Sequence, residues 1–342
     1  MYLHIPFCRT RCTYCAFNTY TDQADLINAY VQALCMEIRL LGRGDPVHTV
    51  YFGGGTPSLL SASQVAQILA TVGQHFSLLP EAEITLEANP GTVRPGDWAP
   101  FRAAGVNRLS LGFQSAIAGE LALFARDHTL DEVTRAVEDA RSAGFDNLSL
   151  DLMYGTPGQS LKDWRHSLAF ALDLAPQHLS AYALSLEPGT SLWRQVRDGR
   201  LPTPDDELAA EMYTELTEAL AGAGFVQYEI SNWARGERYA CHNLQYWRNL
   251  PYLGLGAGAH GYIAGQRTVN VMRPEIYIRC LSGDQGGYPY PTTAATQSTE
   301  RISREDAMFE TIMTGLRLMV HGLSEAALPL ALGKAWMNAM GR

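Results

Sequence analysis

The chain has 342 residues, 46% hydrophobic and 18% charged, enough for one or two domains around a large apolar core. Its net charge is -9 with no block of Lys and Arg, which argues against nucleic-acid backbone binding as the main task, because counterion release needs clustered positive charge. No run approaches the ~20 apolar residues of a membrane span, and a cysteine cluster stands where a signal peptide would carry its apolar core; a cytoplasmic protein is expected.

The first expected strand, Tyr2 to Pro6, leads into Cys8, Cys12 and Cys15, spaced three residues and then two. Three thiolates this close on one loop can grip a single soft metal centre. A structural zinc site closes with four ligands. Three cysteines around a 4Fe-4S cube instead leave one iron without a protein ligand, open to a substrate or cofactor. A zinc knuckle, or a disulfide pair with a spare thiol, is the plainer alternative, but no fourth ligand lies nearby. Cys35, Cys241 and Cys280 are scattered, which fits a reducing compartment.

Further strands are expected at Thr49 to Phe52, Glu83 to Ala88, Arg108 to Phe113, Asn147 to Met153 and Leu179 to Leu184, each followed by a helical pattern. In Ser160 to Leu174 the serine can cap the first turn, and Leu161, Trp164, Leu168 and Leu172 form one stripe. Asp131 to Ala143 repeats the pattern and stops at Gly144. Six strand-helix units imply a parallel sheet closing as an open or partial (β/α)6 barrel, whose chemistry collects at the C-terminal ends of the strands. At those ends stand the turn Gly53-Gly54-Gly55-Thr56-Pro57, then Glu87, Gln114 and Asp151, with Arg126 in a following loop. The glycines would let backbone N–H groups approach a small polar ligand, or simply serve a tight strand exit. Each charged residue alone could be a solvated loop residue.

The alternation ends near residue 225, which divides the chain into a barrel, 1–225, and a smaller C-terminal accessory domain, 226–342. The latter carries His242-Asn243-Leu244-Gln245-Tyr246-Trp247, a glycine-rich loop from Gly254 to Gly261, and a final helix, Arg304 to Val320, with Ala307, Met308, Ile312, Leu316 and Met319 facing inward. His4 is assigned to the structure around the cysteine loop, and His128 and His260 stand as candidates near the barrel mouth. His48, His75, His166, His178 and His321 read as surface or packing residues.

The run CxxxCxxC with Tyr14 before the last cysteine resembles the signature of the radical SAM enzymes. With HIPFC, YFGGGTP, GFQS, DLMYGTPGQ and EPGTSL, the chain from residue 1 to about 320 looks like the branch containing the oxygen-independent coproporphyrinogen III oxidase and the HemW-type haem chaperone. The resemblance implies a 4Fe-4S cluster on Cys8, Cys12 and Cys15, with S-adenosylmethionine on its open iron. It further implies that Tyr2, Gly54 and Glu87 contact this S-adenosylmethionine, and that Gly55, Thr56, Gln114, Arg126 and Asp151 match positions contacting a second molecule in the oxidase. The oxidase carries a fourth cysteine where this chain has Phe17, and HNLQYW matches the chaperone's HNxxYW motif. The branch therefore implies a haem chaperone with His242 as haem ligand, working with recipient haemoproteins such as respiratory enzymes and with an electron-donor protein. Oxidative decarboxylation of coproporphyrinogen III, or radical chemistry on another tetrapyrrole, is the alternative. Cys241 is the weaker candidate for haem iron, having no evident positive partner to lower its pKa. The terminal domain is expected to be shorter than in the family.

Overall fold

Strands and helices alternate from the N-terminus to residue 183 because apolar residues recur at every second position in one kind of segment and at every third or fourth in the other. The computed structural model describes residues 1–320 together with 322 and 323; His321, read as a surface or packing residue, lies outside these. The alternating region comprises β1 (Tyr2–Ile5), α1 (Ile27–Leu41), β2 (Pro46–Gly54), α2 (Ala62–His75), β3 (Ser77–Ala88), α3 (Trp98–Ala103), β4 (Arg108–Gln114), α4 (Ala118–Leu123), α5 (Leu130–Ser142), β5 (Leu148–Tyr154), α6 (Leu161–Asp173) and β6 (His178–Ala183). Ser61 and Thr129 start α2 and α5 with capping boxes, and Ser160 caps α6. All six strands run parallel in the order β6-β5-β4-β3-β2-β1, the arrangement expected of a partial (β/α)6 barrel.

Residues 184–320 continue with α7 (Ser191–Arg197), α8 (Asp206–Gly222), β7 (Val226–Glu229), β8 (Asn232–Ala234), α9 (Cys241–Trp247), β9 (Gly254–Leu255), β10 (His260–Ile263), β11 (Gln266–Asn270), α10 (Pro274–Leu281), β12 (Thr296–Arg301) and α11 (Arg304–Gly315). Three of these strands join the large sheet. β8 pairs antiparallel with β6 and carries β7, while β9 pairs parallel with β1, so among the described residues nine strands form one open sheet. β10, β11 and β12 make a separate antiparallel sheet. Between β8 and β9 the chain passes from one edge of the large sheet to the other, and α9 lies on that passage.

One face of the parallel strands is wholly apolar. Val50, Phe52, Leu86, Leu109, Leu111, Phe113, Leu150, Leu152 and Leu179 are fully buried and share one core with Leu34, Ile38, Val65, Ile68 and Trp164 of the helices. Burial stabilises by ~1.5–3 kcal/mol for each such side chain. The residues between them, Tyr51, Glu87, Ser110, Asp151 and Ser180, point to the other face, the barrel interior, which is polar.

The last helix corrects an expectation. It ends at Gly315 and not at Val320, and Leu316 and Met319, assigned to its inward face, are 68% and 56% exposed. The chain leaves the helix to pair with β7: Leu318 bridges Glu229, and the Met319 N–H donates to the Tyr228 carbonyl at 3.0 Å. The buried face is instead set by Thr311, Gly315 and Leu318.

Candidate functional site

The cysteine loop leaves β1 over the C-terminal ends of the strands and is fastened on three sides. Thr13 sits at its centre: its N–H donates to the Phe124 carbonyl (3.1 Å), its hydroxyl to the Leu123 carbonyl (2.6 Å), and its own carbonyl accepts from Leu192 N–H of α7 (2.8 Å). His4 secures the loop's return. Its Nε2–H donates to the Asn18 carbonyl (2.8 Å), which leaves Nδ1 to accept from the Tyr2 hydroxyl (2.9 Å). Asn18 in turn donates to the carbonyls of Ala257 and Met272 (3.0 and 2.9 Å), so the glycine-rich loop braces the cysteine loop from outside. That loop is held by a buried hub. The Glu37 carboxylate accepts from Gly256 N–H (2.9 Å), Asn270 Nδ2 (2.7 Å) and the Tyr277 hydroxyl (2.6 Å), and the Tyr30 hydroxyl links Ala257 N–H to the His4 carbonyl. Burial pushes the Glu37 carboxyl up to about 7.

Beneath the loop lies a cavity of about 480 Å³. Of the residues singled out in the sequence, Cys8, Cys12, Cys15, Gly54, Gly55, Thr56, Glu87, Gln114, Arg126 and Asp151 line it together; Tyr2 and His242 do not. Glu87 accepts from the Tyr51 hydroxyl (2.6 Å) and Gly54 N–H (3.2 Å), and burial, opposed by those bonds, raises its carboxyl to about 7. Gly54 has φ +111°, and a Cβ there would fall 2.5 Å from the His4 ring; a Cβ on Gly55 would meet the Phe7 carbonyl oxygen at 2.6 Å. The glycines thus let the strand exit run against the backbone of the cysteine loop while opening onto the cavity. Gln114, at φ 67°, takes a conformation uncommon for a side-chain-bearing residue, at the point where β4 slips register against β5. Arg126 donates to Asn89 Oδ1 and to the Tyr14 hydroxyl (2.9 Å), and its Nε is buried without a partner.

Sequence reading missed Tyr51, Asn89, Arg108, Ser110, Ser180 and Asn243, which also line the cavity. Strand parity would have found half of them. Counting in twos from Glu87, Asp151 and Gln114 along registered strands reaches Ser110, Arg108 and Ser180.

The cavity floor is a polar layer sealed by α9. Glu83 on β3 accepts from the N–H groups of Cys241 (3.1 Å) and His242 (3.0 Å), the unsatisfied donors of that helix's first turn, and lies 3.9 Å from Arg108. The His242 ring is 1% exposed and stacks on Tyr51 at 5.0 Å. Its Nδ1 pairs with the Thr49 hydroxyl (2.8 Å) and its Nε2 with the Tyr246 hydroxyl (2.9 Å). Burial, helped by Arg108, holds its pKa well below that of free imidazole. Both ring nitrogens of the expected haem ligand are therefore engaged inside the protein in this conformation. Asn243, the next residue, is the one that faces the cavity. His178, read as a surface or packing residue, belongs to the same floor, bridging the Ser149 hydroxyl (2.7 Å) and the Tyr228 hydroxyl (2.8 Å). Cys241 is exposed, His128 is buried against the Phe113 carbonyl, and His260 lies on the surface of β10.

The donor set suits an iron–sulfur cube. Three thiols open onto one cavity, the Cys8 sulfur accepting from the Thr56 hydroxyl at 3.5 Å. Among the described residues no three His, Cys, Asp or Glu side chains gather closely enough for a single metal ion. A four-iron cube holds its thiolates farther apart than one ion does, and the shared cavity provides that space. Carboxylates at Glu87 and Asp151 supply the negative charge that a sulfonium and an ammonium group would meet.

The sequence profile of the radical SAM superfamily matches residues 2–171. The chain is 45% identical over 290 residues to the heme chaperone HemW of Mycobacterium tuberculosis, covering 83% of this chain and 74% of that one. It is 40% identical over 336 residues to the heme chaperone HemW of Synechocystis, covering 96% and 80%. Among solved structures, the coproporphyrinogen III oxidase HemN of Escherichia coli, a radical SAM enzyme, superposes with TM-score 0.83 over 99% of this chain and 80% of that one; at 24% identity this likeness speaks for the fold. With the three thiols, the glycine turn and the HNLQYW helix built around one cavity, and relatives matched across most of both lengths, the chain belongs to the heme chaperone HemW family of the radical SAM superfamily.

Proposed function

We propose that this chain binds haem and passes it to recipient haemoproteins such as respiratory enzymes. The observation that carries the reading is the 45% identity to a heme chaperone HemW across three quarters of that protein. Position 17 supports it, since Phe17 lines the cavity where the oxidase pattern has a fourth thiol. Cys8, Cys12 and Cys15 would hold the 4Fe-4S cluster and leave one iron for S-adenosylmethionine, with Gly54 and Glu87 on the same side of the cavity. When bound, the cluster supplies the electron that splits the sulfonium bond, received from an electron-donor protein. Gly55, Thr56, Gln114, Arg126 and Asp151, which match positions contacting a second such molecule in the oxidase, line the same cavity. Tyr2 acts one step removed, by donating to His4, whose ring clamps the cysteine loop.

Iron ligation by His242 requires Nε2 to give up the Tyr246 hydroxyl. An anaerobic haem titration of the cluster-reconstituted chain, followed by absorbance, tests both statements. Saturable binding at about one haem per chain is expected, with the imidazole signature lost in His242→Ala. Absence of saturable binding in the parent overturns the chaperone reading. Undiminished binding in His242→Ala removes this residue from the iron. Protoporphyrinogen IX and carbon dioxide formed from coproporphyrinogen III would transfer the chain to the oxidase.

A further inference from the structure

β1 and β6 are the first and last of the six consecutive parallel strands, flanked by the short β9 and β8, and the loop after β1 and the C-terminal end of β6 both open onto the one cavity. Each contributes an exposed aromatic residue. Phe17, two residues beyond Cys15, is 67% exposed, and Tyr182 on β6 is 42% exposed; both line the cavity that holds the three thiols. The cationic group at this opening is on the Phe17 side. Arg11 is exposed, lines the same cavity, and its Nη2 lies 3.4 Å from the Phe17 and Cys15 carbonyls. Across the opening the charge is reversed: Glu187 stands on the β6 side, held by the Ser185 hydroxyl at 3.0 Å.

We infer that this seam is the docking site for the flat face of the porphyrin, with the ring between Phe17 and Tyr182 and its carboxylate edge turned toward Arg11. A large planar apolar ring is what two aromatic faces accommodate best. A dianionic edge pairs with the guanidinium and avoids Glu187, so the charge distribution sets the ligand's orientation as well as its class. The inference rests on the haem-chaperone reading but adds a place to it. The ring binds at the mouth, in front of the thiols, and His242 would have to leave the sealed floor to reach its iron.

The test uses the full cluster-reconstituted chain and three probes: haem, haem dimethyl ester, and metal-free protoporphyrin IX, which needs no axial ligand. Phe17→Ala and Tyr182→Ala should each weaken haem and protoporphyrin IX about tenfold, equivalent to ~1.4 kcal/mol, with iron content and unfolding midpoint unchanged. Esterification should weaken binding about tenfold in the parent and have little effect in Arg11→Gln. Haem affinity within twofold of the parent in both alanine variants overturns the docking site while leaving the chaperone reading intact. Protoporphyrin IX bound at the seam with haem refused would do the reverse. Failure of the parent to bind either porphyrin overturns the docking site as well.

Discussion

Glu37→Ala removes the hub that ties α1 to the glycine-rich loop, and the structure states what that should cost. Four buried donors lose their acceptor: Gly256 N–H, the Tyr277 hydroxyl, the more distant Thr293 hydroxyl at 3.5 Å and one Asn270 N–H, the Asn270 amide keeping the Gly256 carbonyl at 3.1 Å. At ~1–3 kcal/mol for each stranded group, less the relief of a buried charge, the net loss at pH 8 is ~3 kcal/mol. The pH dependence then has a definite sign. The folded carboxyl titrates at about 7, above its ordinary 4.5, so lowering pH from 8 to 6 protonates it in the folded chain while it stays ionised in the unfolded one. That change favours the folded parent by ~1.4 kcal/mol, and the gap between parent and variant should widen by this amount. Four buried histidines, His4, His128, His178 and His242, are held below their ordinary pKa and act in the opposite direction below 6.5, but they are common to both chains and cancel in the difference. Urea unfolding followed by tryptophan fluorescence at both pH values measures the gap. A gap under ~1 kcal/mol at both, or one that narrows at pH 6, refutes the reasoning.

Other outcomes follow from the cavity and its brace. The Glu87 carboxyl, raised to about 7, faces the cavity; S-adenosylmethionine affinity should fall as pH drops through 7, and Glu87→Gln should flatten that slope, as calorimetric titration at pH 6 and 8 would show. An equal slope in the variant removes Glu87 from the ligand. Gly258→Ala would place a Cβ 2.3 Å from Asn18 Nδ2 at φ +75°, whereas Gly265→Ala, at φ +69°, meets nothing. Both pay a backbone cost of ~1 kcal/mol, but only Gly258→Ala should also lower the iron retained per chain after reconstitution.

The parallel strands were legible because each alternates between a face that must be apolar and one that need not be, and the six expected segments coincide with β1 to β6 to within a few residues except where β2 and β3 begin earlier, at Pro46 and Ser77. Those early portions carry exposed polar residues such as His48 and Glu81, which leave no periodic signal. Ten of the lining residues, the three cysteines with Gly54, Gly55, Thr56, Glu87, Gln114, Arg126 and Asp151, were legible from the motifs. The floor was not: Glu83 meets Cys241 and His242 158 and 159 positions away, and nothing local to either segment marks a partner so distant. Likewise β9 is only two residues long, too short for a pattern, and owes its place in the sheet to an unpaired edge.

Helix α9 is a stopper as well as a motif carrier. Its first-turn N–H groups are pinned by Glu83, and its histidine is wedged against Tyr51, the residue that hydrogen-bonds Glu87. An imidazole that swings out to reach iron withdraws support from the same tyrosine and unseats the carboxylate above it. On the proposed assignments, ligation at His242 and occupancy at Glu87 would be antagonists, each weakening the other by the same factor, since linkage between two sites on one protein is reciprocal. A chain built this way would release haem iron when the cavity above is filled, turning S-adenosylmethionine into the signal for delivery.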